Sequence, residues 1–307
     1  MRFGVIGINF KSACLDQRES LTHALTRLFG RHSRYKSLLL TTCNRTELYF
    51  HDEDPAHLHS QFIKELRMST HEEFDHALYT FFDQECLAHL SKVTAGLDSA
   101  FVGESEIQHQ VKCTYMKASN DLPSDLHYLF QKSLHNGKVI RTQLCLDRLA
   151  PTLPSSVAKS AVRYDPKRIL IVGRSDIGHK CTLSLKRRLD CDITLCTRHP
   201  NGEEVLPWDQ LDRWPLYDVV IATSKTERPL LLKDHYFDGA PVKVVYDLGV
   251  PRNAEKLPVP CFDIDQLAAS VKQLRLSQVE SLAVGEKKIR EIVARQFRLS
   301  GRNRRSA

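Results

Sequence analysis

The sequence predicts an α/β protein of more than one domain. An N-terminal α+β domain precedes a doubly wound, Rossmann-like parallel-sheet domain, and one long helix closes the chain. Three observations predict it. ILIV at 169–172, DITLC at 192–196, DVVIAT at 218–223 and VKVVYDL at 242–248 are short apolar runs separated by helix-length stretches. Runs that are continuously apolar belong to strands buried on both faces, and hence to a parallel sheet covered by helices. The first 145 residues mix strand and helix patterns instead, and the residues after Asp265 keep a helical apolar period to residue 299. A chain of 307 residues is long enough for two cores at about 150 residues per domain.

Taken in order, residues 2–10 form an apolar strand. Leu15, Leu21, Leu25, Leu28 and Phe29 recur at helical spacing over 15–29, and SLLLTTCNRTELYF at 37–50 is a second β region. A helix and a more polar stretch follow. From 84 to 119 there is no Pro, and Gly occurs only at 96 and 103, so helices there break at AGLDS and VGES. Helix resumes over 125–144. LDRLAPTLPSS at 146–156, with two Pro, two Ser and little periodicity, marks the boundary. The expected division is a first domain over 1–145, a linker over 146–162, the parallel-sheet domain over 163–265, and a long helix with a basic tail over 266–307. Unbroken from 266 to 299, that helix would run about 50 Å at 1.5 Å per residue. Leu276, Val279, Val284 and Leu299 lie off its main stripe. The helix is therefore expected to lay one stripe on the parallel-sheet domain, and either to self-associate weakly through the rest or to lose order beyond Gly285.

With 42% hydrophobic and 26% charged residues, the composition is that of a soluble globular protein. No apolar run approaches 18 residues, which excludes membrane spans. The N-terminus lacks a signal-peptide h-region, so a cytoplasmic address with no membrane partner is expected. Nine cysteines, an odd number without any CxxC pair, fit neither a disulfide framework nor a zinc site, and no metal is expected. The formal charge of +7 suits a polyanionic partner, with Arg31 to Lys36 and the C-terminal arginines as phosphate contacts.

Three clusters carry chemistry. After ILIV the chain reads Gly173-Arg174-Ser175-Asp176-Ile177-Gly178, a strand-to-helix turn whose glycines and helix N-terminus suit a pyrophosphate, with Ser175 in the place of the usual middle Gly. An ordinary tight turn has the same look. Where an NAD site puts an acid, this chain has Thr197-Arg198, and Arg198 suits a 2′-phosphate, which favours NADPH. Thr223 ends the next apolar strand. Cys43 sits in TTCNRTELY two residues from Arg45. A neighbouring cation lowers a thiol's pKa and makes a nucleophile, although most cysteines are merely small buried hydrophobes. The third cluster is His89 with TAGLDSAFVGESEIQHQVK, which gathers Asp98, Ser99, Glu104, Glu106, Gln108 and Gln110 around two glycines. Read alone, these residues reach an NADP-dependent reductase with a thiol, and no further.

In combination, GINFKSA, TTCNRTELY, HLSKVTAGLDSAFVGESEIQHQVK, GRSDIG and DLGVP resemble the glutamyl-tRNA reductase family over nearly the whole chain. The resemblance implies a ferredoxin-like sheet with helices in the N-terminal catalytic domain. It implies that Cys43 attacks the ester of glutamyl-tRNA(Glu) to form a thioester, which NADPH reduces to glutamate 1-semialdehyde, the first step towards 5-aminolevulinate and the tetrapyrroles. Carried over residue by residue, Arg45 clamps the substrate α-carboxylate bidentately, and Thr42, Asn44, Ser99 and Gln110 complete the amino-acid pocket. Glu104 meets the ammonium group, and His89 is the general acid/base for the leaving ribose oxygen. Gly173 to Gly178, Thr197, Arg198 and Thr223 hold NADPH. The resemblance further implies hand-over of the aldehyde to glutamate 1-semialdehyde aminomutase and a weak homodimer through a shortened dimerisation region. The sequence departs from the family pattern at Phe10, Ala13-Cys14 and Ser175. Two other readings share these residues: an NADP-dependent reductase of another acyl donor, and a non-catalytic tRNA-binding regulator.

Overall fold

The computed structural model describes residues 2–30, 35–70, 73–146, 152–198, 205–270 and 276–303. The chain forms two compact units, residues 1–150 with 274–307, and 151–273. In the first unit, β1 (Phe3–Asn9), α1 (Leu15–Phe29), β2 (Ser37–Thr41), β3 (Arg45–His51), α2 (Pro55–Ser69) and β4 (Tyr79–Phe82) follow one another. The strands assemble antiparallel in the order β2-β3-β1-β4, the ferredoxin-like arrangement. Alternation along β3 explains its two faces. Leu48 and Phe50 join Ile6 and Ile8 of β1 against Leu21, Leu25 and Phe29 of α1 and Phe62 of α2. Tyr49 turns the other way, with Phe3 and Val5, towards α3 (Asp83–Ala95), α4 (Glu106–Ala118) and α5 (Ser124–Gln143).

The β region over 37–50 is a hairpin rather than one strand. Thr41 pairs with Thr46, and between them Thr42 N–H donates to the Arg45 carbonyl at 2.9 Å, so Cys43 and Asn44 form the tip. Phe10 N–H donates to the Asn44 carbonyl at 3.0 Å, which ties the end of β1 to that tip.

In the second unit α6 (Leu153–Ala161) lies within the span expected as a linker. Thr152 caps it by accepting from Ser155 N–H, Pro154 sits in its first turn where no intrahelical bond is lost, and Val157, Ala158 and Ala161 are buried. Then come β5 (Arg168–Val172), α7 (Asp176–Lys186), β6 (Asp192–Thr197), β7 (Val205–Pro207), β8 (Val219–Ala222), β9 (Val244–Asp247), β10 (Cys261–Asp263) and α8 (Ile264–Ser270). All pairings are parallel, in the order β10-β9-β8-β5-β6-β7. The order reverses between β5 and β8, the switch point where ligands bind in such sheets. The two outer strands β7 and β10, at three residues each, were too short to register as apolar runs.

The single helix expected over 266–299 is instead α8, in the second unit, and α9 (Leu276–Asn303), in the first; residues 271–275 lie outside the described residues. The expectation that it packs on the parallel-sheet domain is corrected: Ile289 and Val293 of α9 are buried in the core of the first unit. Helix also continues through Gly285, where a Cβ would lie 2.7 Å from Leu97 Cδ1, so order does not end there. Val284 and Leu299 remain exposed. Among the described residues, no helix is long and apolar enough to cross a membrane.

The tightest helix contact in the first unit is that of α5 on α3. At Gly137 of α5 a Cβ would lie 2.4 Å from Thr94 Oγ1 and 2.8 Å from its backbone carbonyl carbon. Backbone cannot step aside as a side chain can. Gly137→Ala is therefore expected to lower stability by ~1–3 kcal/mol, outweighing the ~1 kcal/mol gained in helix propensity, and the urea midpoint of the first unit's transition measures it.

Candidate active site

The centre of the first unit's site is a carboxylate. Glu47 of β3 is fully buried, and four groups converge on it: Arg45 Nη1 at 3.0 Å, Tyr79 Oη at 2.5 Å and His89 Nε2 at 2.7 Å on Oε1, with Tyr49 Oη at 2.6 Å on Oε2. Arg45, Glu47 and Tyr49 are successive alternate residues of one strand, so they share a face. His89 reaches them from α3 and stacks on Phe81 of β4, with ring centroids 4.9 Å apart. Burial alone pushes the Glu47 carboxyl up, but His89 and Arg45, and the hydrogen bonds from His89 and Tyr49, outweigh it and hold it well below the usual range. Glu47 is thus an acceptor only, which fixes the proton of His89 on Nε2.

Arg45 continues the chain of charges. Its Nη1 also meets Asp98 Oδ2 at 3.0 Å, its Nη2 donates to the Asp98 carbonyl, and Asp98 in turn pairs with Lys11. Burial raises the Asp98 carboxyl while Arg45 and Lys11 lower it, and the net direction is down. The segment that carries Asp98 is tied on both sides by Arg141 of α5, whose guanidinium donates to the carbonyls of Ala95, Gly103 and Glu104 at 3.1, 3.0 and 2.8 Å. The fork of Arg45 is thus engaged by Glu47 and Asp98 within the protein. Only its Nε lacks a hydrogen-bond partner, as does Oδ1 of the neighbouring Asn44; both atoms are buried.

The expected residues are distributed as follows. Thr42, Cys43, Asn44 and Arg45 make the hairpin tip, where Thr42 Oγ1 accepts from Asn44 and Arg45 N–H, each at 3.2 Å. Cys43 is half-buried. His89 joins Arg45 through Glu47. Ser99 is buried beside Asp98 in the loop that also holds Glu104, whereas Gln110 lies on α4 without a hydrogen bond to the cluster among the described residues. Sequence reasoning missed Glu47, Tyr49, Tyr79 and Arg141 as site residues. The period of two over Arg45, Glu47 and Tyr49 was a usable signal; Tyr79 and Arg141 reach the site only through tertiary structure.

In the second unit, Gly173 has φ +101° and faces Ser224, so that a Cβ would lie 2.4 Å from Ser224 Oγ and 2.9 Å from its N. No L side chain fits there, so the turn closes tightly on Ser224. Ser175 is the N-cap of α7, and its Oγ accepts from Gly178 N–H at 3.0 Å. The Ser at the middle position therefore shapes the helix end. Asp176 and Ile177 begin that helix, and Arg174 is exposed beside it. Thr223 Oγ1 donates to the Val172 carbonyl at 3.1 Å. Ser224 exchanges hydrogen bonds with Asn253, while Asp247 accepts from the N–H groups of Gly249, Asn253 and Ala254; this network sets the loops at the switch point. Thr197 is buried at the end of β6, and Arg198 is exposed with its guanidinium 5.3 Å over Trp208. A cavity of about 560 Å³ opens on Gly173 to Asp176, with His179, Thr182 and Lys186 along α7. These features fit a dinucleotide. Of the phosphate contacts expected from Arg31 to Lys36 and the C-terminal tail, residues 31–34, 304 and 305 lie outside the described residues.

Fold and site define a class: a ferredoxin-like unit with a half-buried cysteine at a hairpin tip, in one chain with a Rossmann-like parallel-sheet unit. Residues 6–144 match the model of the glutamyl-tRNA(Glu) reductase N-terminal domain. A glutamyl-tRNA reductase from Chlamydia abortus is 30% identical over 303 residues, covering 91% of this chain and 87% of that protein. One from Chlamydia pneumoniae is 32% identical over 274 residues, with 82% and 78% covered. The solved glutamyl-tRNA reductase of Methanopyrus kandleri shares the fold at a TM-score of 0.51 and 23% identity, over 99% of this chain and 82% of that one. The chain belongs to the glutamyl-tRNA reductase family.

Glu47 and Asp98 titrate below ordinary carboxyls, so their contribution to stability is complete above about pH 4.5 and is lost as the pH falls through their lowered native values. Thermal melting from pH 6 downward should show a falling midpoint for the wild type. Glu47→Gln is expected to melt lower at pH 6 and to depend less steeply on acid, because the largest titrating contribution is gone.

Proposed function

We propose that this chain catalyses the NADPH-dependent reduction of glutamyl-tRNA(Glu) to glutamate 1-semialdehyde through a thioester on Cys43, the first step towards 5-aminolevulinate and the tetrapyrroles. The observation that supports it most is the orphaned pair beside the thiol: a buried acceptor, Asn44 Oδ1, and a buried donor, Arg45 Nε. Buried polar atoms without partners are costly, and an amino acid carrying both an ammonium and a carboxylate satisfies both. The chemistry corrects one expectation. In an aminoacyl ester the α-carboxyl is the group under attack, so the free carboxylate that Arg45 Nε meets is the side-chain one. The ammonium, on the carbon next to the attacked carbonyl, suits Asn44 Oδ1, with Ser99, Glu104 and Gln110 completing the pocket as the family resemblance implies.

Cys43 Sγ, as thiolate, forms the C–S bond with the ester carbonyl carbon. The ester C–O bond breaks, and the ribose oxygen leaves with the proton that His89 Nδ1 takes up as the Cys43 thiol ionises, Nε2 being engaged by Glu47. A thioester lacks the resonance stabilisation of an oxygen ester and accepts hydride more readily. Gly173 to Gly178, Thr197, Arg198 and Thr223 would hold NADPH, which would supply that hydride to the carbonyl carbon; the C–S bond then breaks, Cys43 leaves as thiolate and the aldehyde is released. The aldehyde product is reactive, which suits hand-over to the semialdehyde aminomutase, and exposed Val284 and Leu299 on α9 suit a weak homodimer.

Glutamate 1-semialdehyde formation from glutamyl-tRNA and NADPH is the direct test, with free glutamate and glutamyl-CoA as controls. Cys43→Ser should abolish it while leaving the circular dichroism spectrum unchanged, because the swap is nearly isosteric but replaces the thiol with a far less acidic hydroxyl. Turnover by the Ser variant, or equal turnover of glutamyl-CoA by the wild type, would refute the assignment. Arg198→Ala is expected to weaken NADPH by roughly ten- to a hundredfold, the loss of about 1.5–3 kcal/mol for a hydrogen bond to a charged group, and to spare NADH. Equal losses for both cofactors, read by fluorescence titration, would assign Arg198 to its stacking on Trp208 instead.

A further inference from the structure

Arg141 is buried in α5, one helical turn after Gly137. The close approach of α5 to α3 at Gly137 and Thr94 carries Arg141, on the same face of its helix, to the C-terminal end of α3. There its Nη1 meets the carbonyls of Ala95 and Glu104, and its Nη2 that of Gly103. Ala95 is the last residue of α3, so the cation also faces the negative end of that helix. These carbonyls stand at the two ends of one loop. Gly96 leaves the helix at φ +75°, Gly103 turns at φ +85°, and Gly103 N–H donates to the Gly96 carbonyl at 2.8 Å, which closes the loop over 96–103. A Cβ on Gly96 would lie 2.7 Å from the Glu104 carbonyl oxygen and 3.1 Å from Arg141 Nη1; the neck of the loop admits the guanidinium because a glycine stands there.

The loop carries Asp98, whose Oδ2 meets Arg45 Nη1 at 3.0 Å and whose carbonyl accepts from Arg45 Nη2. Of the two carboxylates on the Arg45 fork, Glu47 belongs to the same strand and moves with it, whereas Asp98 comes from outside the sheet. Its place therefore sets how the guanidinium is turned, and with it the direction of the buried Nε. We propose that Arg141 is a positioning residue for amino-acid selection: by clamping the neck of the 96–103 loop it fixes Asp98, and through Asp98 it aims Arg45 Nε at the side-chain carboxylate of the substrate. A single donor can tie one carbonyl, but only a planar fork reaches carbonyls at both ends of a loop at once. Cys43 at the hairpin tip and His89 within α3 lie outside the loop. Arg141 acts through Asp98 and Arg45, and it touches neither the substrate nor the reacting atoms in this scheme.

The inference rests on the proposed reduction of glutamyl-tRNA, but one arm of its test needs no substrate. The full-length protein is given tRNA(Glu) charged with glutamate or with glutamine, whose side chains end in a carboxylate and a neutral amide. In Arg141→Met the preference for glutamate, read as the ratio of the two kcat/KM values, should fall by roughly ten- to a hundredfold. Loss of folded protein alone lowers both rates together and leaves that ratio unchanged. The second arm is hydrogen exchange without tRNA: the amides of Gly103 and Glu104 should exchange faster in the variant, while those in the body of α3 keep their protection. Arg141→Lys, which retains the charge but not the fork, carries the same expectations if the Met variant fails to fold by circular dichroism. An unchanged ratio, or wild-type exchange at Gly103 and Glu104, would overturn the proposal. A wild type that turns over neither charged tRNA would refute the proposed function instead, and the exchange arm would still decide whether Arg141 sets the loop.

Discussion

The first unit is organised around the buried ion pair of Arg45 and Glu47, whose side chains are 1% and 0% exposed. Two charges removed from water are tolerated when most of their donors and acceptors are occupied, and here Arg45 Nε alone is left over. That requirement explains why so many elements meet there. β4 contributes Tyr79, α3 contributes His89, β3 itself contributes Tyr49, and the loop after α3 contributes Asp98. Removing one partner leaves an uncompensated buried charge, a loss of about 3–5 kcal/mol in comparable pairs. The arrangement therefore constrains the fold, since β3 cannot shift along its neighbours without separating Arg45 and Glu47 from Asp98, Tyr79 and His89. Cys43, at the tip of that hairpin, inherits its position from the pair two and four residues further on.

The second unit depends on a different constraint, the close approach of backbone at a switch point. Gly173 sits against Ser224 because β5 and β8 are neighbours in the sheet, and Asn253 and Asp247 hold the loops beyond β8 and β9 through backbone hydrogen bonds. None of these groups needs to titrate. The site holds a shape, with the free N–H groups at the start of α7 available to an anion. The first unit, by contrast, is built on buried charges, the Arg45–Glu47–His89 cluster and its pairing with Asp98.

Much of this was legible in the sequence, for identifiable reasons. The inner strands of the parallel sheet are continuously apolar, so β5, β6, β8 and β9 stood out, while β7 and β10 are three residues long and carry little signal. TTCNRTELY announced the hairpin tip, and its alternation contained the Arg45–Glu47 pair, yet an acid in a strand reads as solvent-facing until its partners from other elements are known. Tyr79 and Arg141 could not be placed, because each reaches the site through packing between segments far apart in the chain. The long C-terminal helix misled in the opposite sense. Its apolar period was plain, but a stripe does not name the surface that covers it, and the helix joins the first unit, with Ile289 and Val293 in its core.

The central claim is that Cys43 captures the glutamyl group covalently. The wild-type protein can be mixed with glutamyl-tRNA without NADPH, quenched rapidly in acid and digested for mass spectrometry. The claim predicts one glutamyl group on the Cys43 peptide, released by hydroxylamine and absent when NADPH is included. A glutamyl group on any other residue, or semialdehyde formed with NADPH while no adduct is ever trapped on Cys43, would contradict it.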